Sequence, residues 1–201
     1  MLEIQGPDTA LLDDRLVLRA RGAGPDATLL WQARMRDDDG RVWRARAERP
    51  EDLPEAWRGK ARHAALASLR PVRLDVRVQA PDGGAAARTL TRLLVGRGVR
   101  IRRWRDGPAG TLHLPGADPC ATVLVLGDAG IAGALLASRG VLVLTVTGGD
   151  PGAARDRLAA VPGATPTTEL AAADVPCPAG APGGDASAWD ALLARLGARA
   201  R

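Results

Sequence analysis

Ala121-Thr122-Val123-Leu124-Val125-Leu126-Gly127-Asp128-Ala129-Gly130, followed by Ile131 to Ser138 and then Gly140-Val141-Leu142-Val143-Leu144-Thr145-Val146, decides the fold. Two nearly continuous runs of Val and Leu flank a short Ala/Leu-rich segment of helical length. Continuous apolar runs mark strands covered on both faces, so this is a strand-helix-strand unit of an α/β sheet. Just upstream, Val99–Trp104 and Thr111–Leu114 read as a hairpin feeding that sheet. Downstream, Ala153–Ala160 is predicted to be a helix, and Trp189, Leu192, Leu193 and Leu196 mark a closing amphipathic helix. Between them, 164–185 is rich in Pro, Gly and Ala and shows no periodicity.

Before residue 98 the pattern changes. Leu29, Trp31, Ala33 and Met35 alternate with Leu30, Gln32, Arg34 and Arg36, the period of a half-buried strand. Asp37-Asp38-Asp39-Gly40 is a turn signal, and Val42-Trp43-Arg44-Ala45-Arg46 returns as the partner strand. Arg15 to Ala20, Arg73 to Gln79 and Thr89 to Val95 supply further strands, the last two joined by Pro81-Asp82-Gly83-Gly84. Short strands at this spacing predict a small β-sandwich. Pro54 to Leu69 interrupts it. Trp57, Ala61, Ala64 and Ala65 fall on one stripe there, predicting a helix that ends at Pro71. The organisation is therefore a β domain over 1–97, with a helical insertion near 54–69, followed by an α/β domain over 98–201.

Composition narrows the function classes. Of 201 residues, 46% are hydrophobic, enough for a core, yet there are five Trp, no Phe, no Tyr and no Asn, and Lys60 is the lone lysine. The net charge is +5. The arginines mostly alternate with apolar residues, as in Arg73-Leu74-Asp75-Val76-Arg77-Val78, which places them on one solvated face. No stacking set of aromatics accompanies them, so a nucleic-acid partner is not expected. Arg100, Arg102, Arg103 and Arg105 form the densest basic patch, where an anion such as a coenzyme A or carrier-protein phosphate would be drawn. Cys120 and Cys177 lie outside any C-x-x-C, so neither a metal site nor a disulfide framework is expected. No apolar run approaches a membrane span and no secretory leader is present, which predicts a cytoplasmic protein without membrane contact.

Several motifs stand in an order that resembles the acyl-CoA thioesterase / bile-acid-CoA:amino-acid N-acyltransferase family. They are Arg34-Met35-Arg36-Asp37-Asp38-Asp39-Gly40-Arg41-Val42-Trp43, Leu69-Arg70-Pro71, Gly98-Val99-Arg100, Gly110-Thr111-Leu112-His113-Leu114-Pro115, Val123 to Gly130, and Leu136 to Leu144. The resemblance implies an immunoglobulin-like N-terminal domain and an α/β-hydrolase domain. It also implies a Ser or Cys nucleophile in G-x-[SC]-x-G, and none is here. None of Ser68, Ser138, Ser187, Cys120 and Cys177 has glycines at both minus two and plus two. Gly183-Gly184-Asp185 with Trp189 resembles the family's late acid loop, which makes Asp185 the candidate triad carboxylate; otherwise it caps the closing helix. The family's histidine follows that acid, and no histidine lies beyond His113.

What remains is a degenerate frame. In the family a Gly-rich turn after the third strand faces developing negative charge. Here Asp128 sits in that turn, opposing an oxyanion, and is either a helix-capping residue or a general base of different chemistry. His63 lies in the segment that the family holds near its pocket and is the second acid/base candidate. His113 stands where the family has an aromatic and reads as a packed, hydrogen-bonded core or sheet-face histidine. The resemblance thus implies a non-hydrolytic protein binding an acyl or polyketide-like small molecule, without cofactor or metal. It would be a tailoring enzyme for cyclisation, isomerisation or dehydration, or an accessory binder. A non-catalytic structural or interaction protein, and a residual acyl thioester hydrolase, are the alternatives. Without the nucleophile strand, Val123–Leu126 would be an open edge, so a homodimer is expected to cover it.

Overall fold

The structure is a computed structural model and describes residues 1–24, 26–59, 64–104 and 109–199. The chain is mostly β-sheet, with three sheets and few helices. It divides into two compact units, Met1–Leu94 with Ala179–Ala186 and Val95–Pro178 with Ser187–Arg201. Among the described residues no helix is long and apolar enough to cross a membrane.

In the first unit, β1 (Glu3–Gln5) pairs antiparallel with β3 (Arg19–Arg21). The larger sheet joins β2 (Thr9–Leu11), β7 (Ala85–Leu93), β6 (Val72–Gln79), β4 (Leu30–Arg36) and β5 (Val42–Ala47) in that order. The β2–β7 pair is parallel and the others are antiparallel. Along β6 buried and exposed residues alternate without a break. Leu74, Val76 and Val78 face the core with Trp31, Met35, Trp43 and Leu90, while Arg73, Asp75 and Arg77 face solvent. The strand expected over 15–20 is confined to Arg19–Arg21, with Leu16 and Leu18 buried ahead of it.

Among the described residues of 54–69 the expected helix is not formed. A 3-10 helix spans Pro50–Glu55, and neither 56–59 nor 64–69 is helical. Pro54 inside that turn cannot donate to an α ladder. Arg58 instead exchanges backbone hydrogen bonds with Arg44, N to O at 3.1 and 2.7 Å, and so shields the free edge of β5. Trp57 and Leu66 still bury their apolar surface, which is what had produced the helical stripe.

The Asp37-Asp38-Asp39-Gly40 turn does more than reverse the chain. The Asp37 carboxylate accepts from Trp43 Nε1 (3.0 Å), Arg41 N (2.8 Å) and Ala65 N (3.2 Å). Asp38 accepts from Ser68 N at 2.8 Å and Ser68 Oγ at 2.6 Å. Two side chains thus tie 64–68 to the hairpin. Burial alone would raise the Asp37 pKa, but these hydrogen bonds and the Arg41 charge outweigh it and hold it below the ordinary aspartate value.

The second unit contains β8 (Arg100–Trp104), β9 (Gly110–Leu114), β10 (Ala121–Leu126), α1 (Ile131–Ser138), β11 (Val141–Val146), α2 (Pro151–Ala159), β12 (Thr167–Ala171) and α3 (Ala186–Arg195). Its sheet runs β12-β10-β11-β9-β8, with β10 parallel to both neighbours and β9 antiparallel to β11 and β8. Every residue of β11 is buried. Ala154 and Leu158 of α2 pack with Leu112, Leu124, Leu142 and Leu144 on one face. α1 covers β9 and β11 on the face that holds His113. Trp189, Leu192 and Leu193 are the buried side of α3.

β12 changes one expectation. It lies in the stretch read as structureless and pairs with β10 from Thr122↔Thr167 to Leu126↔Ala171. The prolines flank this strand rather than interrupt it, and Thr165 N donates to Thr122 Oγ1 at 2.8 Å to seat its entry. The edge of β10 that called for a second copy is therefore filled by the chain itself. β8, now an edge, carries exposed Arg100, Arg102 and Arg103, and charge on an edge discourages further pairing.

Candidate functional site

The parallel strands β10, β11 and β12 end together, and loops beyond the carboxyl ends of such strands are where α/β sheets bind ligands. The loop after β10 is Gly127-Asp128-Ala129-Gly130. Gly127 has φ of 118° and passes so close to the next strand's exit that an added Cβ would stand 2.7 Å from Ala172 Cβ. Only glycine fits there. Asp128 is not the cap of α1: its Oδ1 accepts from Gly130 N at 2.8 Å, and Gly130 occupies the capping position.

Two of the four amides of this loop are already engaged. Gly127 N donates to Val146 O at 2.7 Å, and Gly130 N is taken by Asp128. Beyond β11, Asp150 accepts from Gly152 N (2.9 Å) and Ala153 N (3.3 Å) and caps α2. β12 ends at Ala171 and is followed by Ala172-Ala173-Asp174, with neither hydroxyl nor thiol. A depression of about 380 Å3 opens beside this end, bordered by Asp174, Pro176, Ala188, Leu192 and Arg195. It offers apolar surface with one carboxylate and one guanidinium. Sequence reading missed Asp174 and Arg195, because only the pairing of β12 brings 172–176 beside α3.

His113 is the titratable group nearest in influence to Asp128. Its ring packs against α1, where an added Cβ on Gly133 would meet Nε2 at 2.8 Å. A mid-helix glycine costs roughly 1 kcal/mol against alanine, and here it makes room for the imidazole. His113 is 4% exposed and its Nδ1 has no hydrogen-bond partner. Burial drives its pKa down to about 4, and the Asp128 charge opposes that only in part. At neutral pH it is an uncharged ring. The packed histidine of the sequence reading is borne out, without the hydrogen bond expected of it.

The other candidates separate. Asp185 belongs to the first unit, in the segment 179–186, while Asp128 and His113 belong to the second. His63 lies outside the described residues. The hydroxyls and thiols read as poor nucleophiles mostly have structural partners. Ser138 Oγ accepts from Gly96 N (2.7 Å) and donates to Ala134 O (2.8 Å). Ser68 Oγ donates to Asp38. Cys120 Sγ donates to Gly140 O at 3.3 Å, and burial raises the Cys177 pKa, away from thiolate. Among the described residues no group of His, Cys, Asp and Glu is arranged to hold a metal ion. In comparisons with known proteins, no family model and no curated sequence matches this chain.

Proposed function

We propose that this chain is a non-hydrolytic relative of the acyl-CoA thioesterase / bile-acid-CoA:amino-acid N-acyltransferase family that binds an acyl or polyketide-like small molecule. In this reading the first unit is an immunoglobulin-like sandwich, supported by the parallel β2–β7 pair beside an antiparallel β7-β6-β4-β5 array. The second is a shortened α/β-hydrolase-like sheet. One observation carries the proposal. β12 occupies the side of β10 where the resemblance puts the nucleophile strand, and it ends in Ala171-Ala172-Ala173. Serine or cysteine on a strained turn is replaced by methyl groups, and a spent amide pair stands where an oxyanion would need donors.

Binding would then use the depression beside β12, with Arg195 facing an acyl carboxylate or phosphate and the alanines facing the chain. Asp128 is the group available for proton transfer at the strand ends. Calorimetric titration with acyl-CoA thioesters of increasing chain length and their free acids tests this. Saturable one-to-one binding that strengthens with chain length and weakens in Arg195→Ala is expected. Absence of binding across the whole series sinks the proposal. The internal satisfaction of the Gly127 and Gly130 amides favours a second reading, a non-catalytic interaction protein, for which Asp128→Asn would leave every ligand-dependent property unchanged.

A further inference from the structure

The solvent face of the five-stranded sheet in the first unit carries positive charge without its usual counter-charge. Two cross-strand rows define it. Arg44, Arg34, Asp75 and Thr89 lie side by side across β5, β4, β6 and β7, and Arg46, Gln32, Arg77 and Ala87 form the next row. Arg58, bridged to Arg44, extends the first row past β5. Rows on one face are about 7 Å apart and neighbouring strands about 4.8 Å apart, so long side chains from both rows converge.

These groups border a single concavity of about 780 Å3, lined by Arg34, Arg44, Arg46, Arg58 and Arg77 with one carboxylate, Asp75. Asp75 is already engaged, accepting from Thr89 Oγ1 at 2.8 Å. Among the described residues none of the five arginines forms an ion pair, whereas Arg49, Arg88 and Arg155 do, with Asp52, Asp8 and Glu169. Arg34 and Arg44 stand directly opposite one another, a placement that costs stability. A bound anion removes that cost, and guanidinium forks match phosphate oxygens in pairs.

The occupant's chemistry follows from what else the face has and lacks. The volume falls in the range of small-molecule sites. Trp31, Trp43 and Trp57 are all buried, so no aromatic platform is offered to stacked bases. The remaining lining is Gln32, Ala56, Ala87 and the buried Ala33, Ala45 and Val76, with no large exposed apolar side chain to insert into lipid. We propose that this face binds a compact oligophosphate, a small molecule with two or three linked phosphate groups. This is independent of the acyl-binding proposal, which concerns the other unit.

Titration of the full chain with inorganic tripolyphosphate, followed by calorimetry, tests it. One-to-one binding is expected, weakened at least about tenfold by Arg34→Ala with Arg77→Ala. The control pair Arg19→Ala with Arg21→Ala, exposed on β3 and away from the concavity, should leave affinity unchanged. Asp75→Asn should tighten binding severalfold, a gain that no folding defect can mimic. Failure of tripolyphosphate to bind, or equal loss in the β3 control pair, overturns the proposal. So does tighter binding of a single-stranded oligonucleotide than of tripolyphosphate, which would make the face a nucleic-acid surface.

Discussion

β6 and β11 are both central strands, but β6 buries alternate residues and β11 buries all of them. The first unit's large sheet has a wet face, and its sequence can place arginine at every second position there. In the second unit β10 and β11 are covered on both faces and carry no charge, which is confined to the edge strands β8 and β12. The two proposed sites follow the same division, the solvent face of the sheet in the first unit and the strand ends in the second.

Mutational cost is the sharpest way to break this contrast. Leu144→Ala, on the α2 face of β11, should destabilise by about 2–5 kcal/mol. Val143→Ala, on the opposite face, should also cost more than about 1 kcal/mol. In β6, Val76→Ala should cost a comparable amount, while Arg77→Ala should stay within about 0.5 kcal/mol. Urea unfolding of the four variants measures this. A neutral Val143→Ala would mean that one face of β11 is not packed.

His113 carries the contrast into pH. Its folded pKa of about 4 lies below the ordinary 6.5, so between these values the unfolded chain binds the extra proton. Stability is fully retained above about pH 6.5 and falls as pH drops toward 4, by about 3 kcal/mol for a shift of this size. His113→Leu should flatten urea midpoints over that window. An unchanged slope in the variant would place the imidazole in water.

Asp37 tests the first unit in the adjoining range. Its lowered pKa supplies stability that is present above the ordinary aspartate value and is lost as pH falls through the lower folded value. Asp37→Ala leaves buried Trp43 Nε1 unpaired and should cost about 1–3 kcal/mol at neutral pH. Indole NMR or Trp fluorescence would report the loosened hairpin. The smallest effect belongs to Glu169→Gln, which breaks the partly exposed pair with Arg155 on β12. At most about 1 kcal/mol should be lost.

Much of this was legible in the residues. The hairpin around Asp37–Gly40, the alternation of β6, the runs of β10 and β11 and the stripe of α3 each follow from local periodicity. β12 was not, because Thr167-Thr168-Glu169-Leu170-Ala171 is a strand only by virtue of Thr122 and its neighbours, more than forty positions away. The segment 54–69 misled for a related reason. Buried Trp57 and Leu66 mimic a helical stripe, while Pro54 sits in a 3-10 turn and the Arg58–Arg44 bridge holds the chain after it extended. At the site, Asp128 at a strand end was readable from Gly127-Asp128-Ala129-Gly130. Its bond to Gly130, the approach of Gly127 to Ala172, and the depression at Arg195 all depend on contacts that no spacing encodes.

Release of free thiol from acyl-CoA thioesters tests the proposed function most directly: on that proposal the chain binds a thioester and, with alanines at the end of β12, leaves it intact. Short, medium and aromatic acyl chains at saturating concentration should give no thiol above the buffer rate. Turnover that persists in the combined Cys120→Ala, Cys177→Ala and Ser187→Ala variant would contradict it.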